Sequence, residues 1–164
     1  MNELLLIGSL IVTFSLVLVF FRLFGETGLY CWTVLATIAA NIEVLIVVNA
    51  FGMEQTLGNI LFASTFLVTD LLSEFYGKEA SNKAVNIGIA CSLTFIVISQ
   101  SWLHYIPTES DFAMPHIQAI FSNTPRLMLT SFVVYAICQR FDVWAYHKWW
   151  AFTTKKCGDS TRFL

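Results

Sequence analysis

Asp70 lies inside a mostly apolar run, residues 57–76, and a second carboxylate, Glu74, follows one helical turn later. A carboxylate held at the centre of a membrane helix costs about 3 kcal/mol on insertion scales. Such a group is expected to meet a ligand, an ion or a proton path. Thr69 and Ser73 extend this patch on the same segment. An upstream apolar segment carries Thr37 and Asn41 one turn apart, followed by Glu43 and Asn49. At about 100° per residue, Asn41 and Glu43 point to opposite sides of a helix. Near the C-terminal end, Ser131, Tyr135, Gln139, Asp142 and Tyr146 follow helical spacing and form one polar stripe. Lipid would not tolerate that stripe, so it should face the protein interior or a watery cavity.

Each of these residues has a plainer use. Asn41 and Gln139 can serve as helix–helix hydrogen bonds, worth about 0.6 kcal/mol each. Glu74 and Asp142 fall near a membrane interface, where headgroup water or Lys78, Lys83 or Lys148 can compensate them. Arg126 can anchor the opposite interface, pair with Glu109 or Asp111, or hold a substrate carbonyl. Asp70 has no basic residue within reach on its own segment and is the strongest candidate. No metal site is expected. His104 and His116, with Glu109 and Asp111 between them, lack zinc-ligand spacing. Cys31, Cys91, Cys138 and Cys157 form no Cys-x-x-Cys pair and are read as small apolar side chains. Signatures of a zinc protease, a serine hydrolase and a Walker A loop are all absent from the sequence, so neither an enzyme nor a cofactor is expected.

The elements that must position these groups are membrane helices. The chain is 57% hydrophobic and only 12% charged, with a mean hydropathy of +0.70. Soluble domains carry about 25% charged residues. Five segments are long and apolar enough to span a bilayer core needing roughly 20 residues each: 4–24, 29–51, 57–76, 84–106 and 126–147. The expected fold class is therefore all-α, a single polytopic membrane helix bundle with residues 148–164 as a tail. The first segment is read as a retained helix, since no basic residue precedes it and no small-residue cleavage site follows. Arg22, Lys78, Lys83, Lys148, Lys155, Lys156 and Arg162 fall on one side of this arrangement, while Glu3, Glu54, Glu109 and Asp111 fall on the other. The positive-inside rule then puts the N-terminus outside and the Lys-rich tail in the cytoplasm. The net charge of −2 gives no reason to expect a nucleic-acid partner.

Ala80, Ala84, Gly88 and Ser92 recur every fourth residue and predict a small-residue face for close helix packing. No internal repeat of the inverted-transporter kind is visible.

The stretch from Ala40-Asn41-Ile42 through Phe51-Gly52, then Gly58, then Thr69-Asp70-Leu71-Leu72-Ser73-Glu74-Phe75-Tyr76-Gly77-Lys78-Glu79-Ala80, resembles the queuosine precursor transporter family of vitamin uptake transporters. The Pro125-Arg126 pair and the block from Gln139 to Lys148 resemble the same family, so the likeness covers nearly the whole chain. It implies import of 7-cyano- or 7-aminomethyl-7-deazaguanine across the cell (inner) membrane, for salvage into the tRNA nucleoside queuosine. It also implies further spans beyond residue 164, so the chain is expected to be truncated at its C-terminus, and the first span is expected to be an addition found in some members. Under this resemblance Asp70 would accept the donor edge of the base, with Asn41 or Gln139 completing the pattern and Tyr135 or Phe66 stacking on the ring. Glu74 or Asp142 would neutralise an aminomethyl cation or carry a proton, and Arg126 remains a further candidate contact. The expected partners are a small deazaguanine, membrane lipid and a second copy of the chain. Two rival readings stay open: a substrate-capture subunit served by a separate ATPase, and a membrane assembly protein that transports nothing.

Overall fold

The computed structural model describes residues 1–122 and 125–156. The expected tail beyond Lys156, with Cys157 and Arg162, lies outside the described residues, as do the side chains of Lys155 and Lys156.

The first segment and most of the second form one helix, α1 (Asn2–Glu43), broken at Gly25. Gly25 takes φ 57° and ψ −135°, a backbone conformation that suits a residue without a Cβ. Its two arms lie side by side. Phe20 on the first meets Trp32 on the second edge to face, with ring centroids 5.3 Å apart. At the far ends, Asn2 Nδ2 donates to the Asn49 carbonyl at 2.9 Å.

The helix expected to continue to residue 51 stops at Glu43. In its place the chain forms an antiparallel hairpin, β1 (Val47–Ala50) with β2 (Met53–Thr56), pairing Val47 with Thr56 and Ala50 with Met53. The two-residue turn between them, Phe51-Gly52, has positive φ at both positions, 55° and 73°. That geometry matches the right-handed twist of a hairpin, and β-branched Val47 and Val48 suit a strand better than a helix.

The remaining elements are α2 (Gly58–Phe75), α3 (Lys78–Trp102), α4 (Met114–Phe121) and α5 (Pro125–Lys156). The loop expected over residues 107–125 thus contains a short helix. Asp111 starts it, its Oδ1 and Oδ2 accepting from the Ala113 and Met114 amides at 3.2 and 3.0 Å. Phe121, at its end, packs edge-on against Trp102 and Phe95. In the bundle α1 packs on α2 and α3, and α5 packs on α3 and α2.

Part of the interior is polar where a soluble protein would be apolar. Thr33, Thr37, Asn41, Thr65, Ser92 and Gln139 are each at most 2% exposed. Leu4, Leu5, Ile11, Leu23 and Phe24 are each at least 60% exposed. Water would drive the opposite arrangement, whereas an apolar solvent leaves polar side chains to seek partners between helices. Among the described residues, two helices, α1 and α3, are long and apolar enough to cross a membrane. α2 has the length of a short span but carries Asn59, Asp70 and Glu74 in its 18 residues. An apolar cluster of Val17, Leu29, Trp32, Ala36, Val68 and Leu72 locks α1 to α2.

Candidate functional site: a buried polar chain

Four helices contribute to one chain of polar groups. On α3, Ser92 Oγ accepts from Asn41 Nδ2 of α1 at 3.2 Å, and the same amide donates to the Thr37 carbonyl at 2.8 Å. The Thr37 hydroxyl gives its proton to the Thr33 carbonyl at 2.5 Å, so towards Tyr135 it can act only as an acceptor. Thr65 on α2 is in the same position, its proton directed to the Phe62 carbonyl at 2.6 Å. The Tyr135 hydroxyl from α5 lies within reach of both threonines and has one proton to offer.

Thr65 also accepts from Gln139 Nε2 at 2.5 Å. Gln139 Oε1 lies 3.5 Å from the Thr69 hydroxyl, which in turn lies 3.3 Å from Asp142 Oδ2. The chain therefore runs from Ser92 to Asp142 and leaves the bundle interior at a carboxylate. Burial excludes competing water, so each donor and acceptor along it depends on its neighbours. The small-residue face of α3 serves this chain as well as packing. A Cβ at Gly88 would overlap the Tyr135 hydroxyl, and Ser92 is the acceptor for Asn41.

Asp142 is partly buried, and Asp70 is exposed close enough to interact with it electrostatically. Glu74, also exposed, accepts a hydrogen bond from the Tyr146 hydroxyl. Two of the lysines considered as counter-charges lie over aromatic rings instead. Lys83 lies over the Tyr30 ring at 4.9 Å and Lys148 over the Trp144 ring at 4.5 Å. Ser73 Oγ and His147 Nε2 are buried without a hydrogen-bond partner among the described residues.

The structure therefore splits the sequence-derived candidates into groups. Asn41, Tyr135 and Gln139 are buried links of the chain, and Asp142 is its end. Asp70 and Glu74 flank that end from the surface of α2. Arg126, in the first turn of α5, is exposed and makes no ion pair among the described residues, while Asp111 is occupied in starting α4. The ring stacked on Tyr135 is Phe62, at 5.4 Å and tilted 34°. Thr65, Ser92 and Gly88 were not singled out as functional from the sequence. For Thr65 the available signal was its i, i+4 spacing from Thr69, on the face that meets the α5 stripe.

An apolar exterior and two helices among the described residues long and apolar enough to cross a membrane point to a membrane protein. The chain belongs to the family described as "putative vitamin uptake transporter", whose model matches residues 56–163. It is 37% identical over 136 residues to the "Probable queuosine precursor transporter" of Bacillus subtilis (strain 168), a match covering 83% of this chain and 59% of that relative. The chain thus spans less than two thirds of the length of the curated relative it matches. No solved structure matches it.

Proposed function

We propose that this chain forms the substrate-recognising part of an importer for queuosine precursors, 7-cyano- and 7-aminomethyl-7-deazaguanine, that supplies queuosine salvage into tRNA. It would lie in the cell membrane as a multi-pass bundle, with the N-terminus outside and the Lys-rich tail in the cytoplasm. The observation that carries this reading is the buried polar chain ending at Asp142, beside Asp70. The name of the Bacillus subtilis relative supports the choice of substrate.

The chemistry is that of a guanine-like edge. Such a base offers a ring imide N–H and an exocyclic amino group side by side, and one carboxylate can accept both in a bidentate pair. Asp70 is exposed and has no ion-pair partner among the described residues, so its oxygens are free to accept. Asp142 beside it would offset the positive charge of an aminomethyl group. Asn41 and Gln139 are engaged by Thr37, Ser92, Thr65 and Thr69 in this conformation, with Tyr135 packed among them. They would act on the substrate by holding the helices that carry Asp70 and Asp142, or by exchanging partners when it enters.

Restoration of queuosine in a strain that cannot make the precursor tests the reading. Asp70→Asn is expected to cut restoration about tenfold or more at normal membrane abundance while leaving residual uptake, and wild-type restoration by that variant would remove Asp70 from the site. Restoration by the parent protein only when a separate ATPase is co-expressed would favour a substrate-capture subunit instead.

A further inference from the structure

A mostly apolar cavity with a few polar groups in its wall lies on the other side of α1 from the buried chain. Asn41 turns towards Ser92. Glu43, two residues later, lines a cavity of about 350 Å³ between the arms of α1 and the start of α2. Its walls include Asn2, Ser9 and Thr13 from the first arm and Leu57 and Leu61 from the α2 side. The hairpin is tied across this end of the bundle by Asn2 Nδ2 to the Asn49 carbonyl at 2.9 Å and by the Phe51 amide to Glu3 Oε1 at 3.4 Å.

The polar lining is rich in acceptors. Glu43 is half-buried, and its carboxylate has neither a hydrogen-bond nor an ion-pair partner among the described residues. The Ser9 hydroxyl gives its proton to the Leu6 carbonyl at 3.0 Å, so its lone pairs are left to accept. A volume of this size falls at the lower end of small-molecule sites, which run from about 300 to 1,000 Å³. A lipid tail could fill the space but would leave a carboxylate desolvated and unpaired, and an anion would be repelled.

We propose that this cavity binds a small organic cation, a primary ammonium carried on a single ring, with Glu43 as its counter-charge and the Ser9 hydroxyl accepting from the ammonium. The apolar wall of Leu57 and Leu61 receives the ring. The site is separate from the Asp70–Asp142 end of the polar chain and does not depend on the transported substrate.

The test uses the full chain in lipid nanodiscs with Thr13→Cys, on the cavity wall, reading modification of the introduced thiol by methyl methanethiosulfonate through peptide mass spectrometry. Benzylammonium at ten times its dissociation constant should slow modification about tenfold, while benzyl alcohol, equal in size but uncharged, should leave the rate unchanged. Glu43→Gln should abolish the protection, read as the ratio of the rates without and with benzylammonium in the same variant, and Glu43→Asp should retain it. Equal protection by benzyl alcohol, protection that survives Glu43→Gln, or no protection by benzylammonium would each overturn the proposal. The comparison of the two probes on unsubstituted Glu43 decides the question even if the Gln variant fails to fold.

Discussion

The Tyr135 hydroxyl of α5 occupies the space where a side chain on residue 88 of α3 would begin, so Gly88 and Tyr135 are fitted to each other. This contact joins the small-residue face of one helix to the polar stripe of another. Gly88→Ala should therefore destabilise the bundle by about 1–3 kcal/mol, the usual cost of overpacking a close contact. Tyr135→Phe removes the oxygen that collides, so the double variant should be more stable than Gly88→Ala alone. Thermal unfolding in detergent micelles checks the order. Equal melting of the double and the Gly88→Ala variant would show that the hydroxyl is not what fixes glycine there.

Gln139 ties α5 to α2 through Thr65 and Thr69, at 2.5 and 3.5 Å. Gln139→Leu should cost about 0.6–1.7 kcal/mol, the range measured for interhelical hydrogen bonds in membranes. Thr65→Val should cost a similar amount, and the pair should cost less than the sum because both remove one bond. Additive losses in the same unfolding assay would place the two residues in separate interactions.

Much of this arrangement can be read from residue spacing. The stripe Tyr135, Gln139, Asp142 turns inward as lipid exclusion requires, and Asn41 and Glu43 take opposite sides as the helical repeat requires. Spacing does not reveal which oxygen accepts from which donor. Thr37 and Thr65 spend their own protons on backbone carbonyls one turn back, which leaves only their lone pairs facing other helices, a local event that hydropathy does not register. The hairpin was hidden for a related reason. Val47 and Val48 are as apolar as a helix end, and the turn at Phe51-Gly52 lacks the usual Asn or Asp. Asp70 read as a carboxylate enclosed by its own segment, yet it lies on the exposed side of α2, beside the carboxylate of another helix.

Phe51 is the one non-glycine residue with positive φ, 55°, among the described residues. Asn tolerates that region better than an aromatic residue does, and Asn-Gly is the preferred pair for this turn. Phe51→Asn should keep the hairpin and raise its stability by up to about 1 kcal/mol. Slower amide hydrogen exchange at the hydrogen-bonded strand positions would register the gain. Faster exchange would mean that the exposed Phe51 ring contributes more to holding the hairpin than its backbone strain costs.

Asp70 and Asp142 come from different helices and neither has a cation bonded to it among the described residues. If Asp70 receives the paired donors of a guanine-like base, removing one donor from the ligand should be costly, because a hydrogen bond to a charged group is worth about 1.5–3 kcal/mol. A 7-deazahypoxanthine analogue, which keeps the imide N–H and lacks the exocyclic amino group, should then compete for uptake about tenfold or more weakly than the 7-deazaguanine. Asp70→Asn should erase that discrimination, because its amide cannot accept both donors as a carboxylate does. Asp142→Asn should leave the discrimination in place and instead narrow the difference between the cationic aminomethyl and the neutral cyano precursor. The two competition ratios, measured on residual uptake in each variant, assign the separate roles. Exchange of the two effects between the variants would make Asp142 the residue that reads the base.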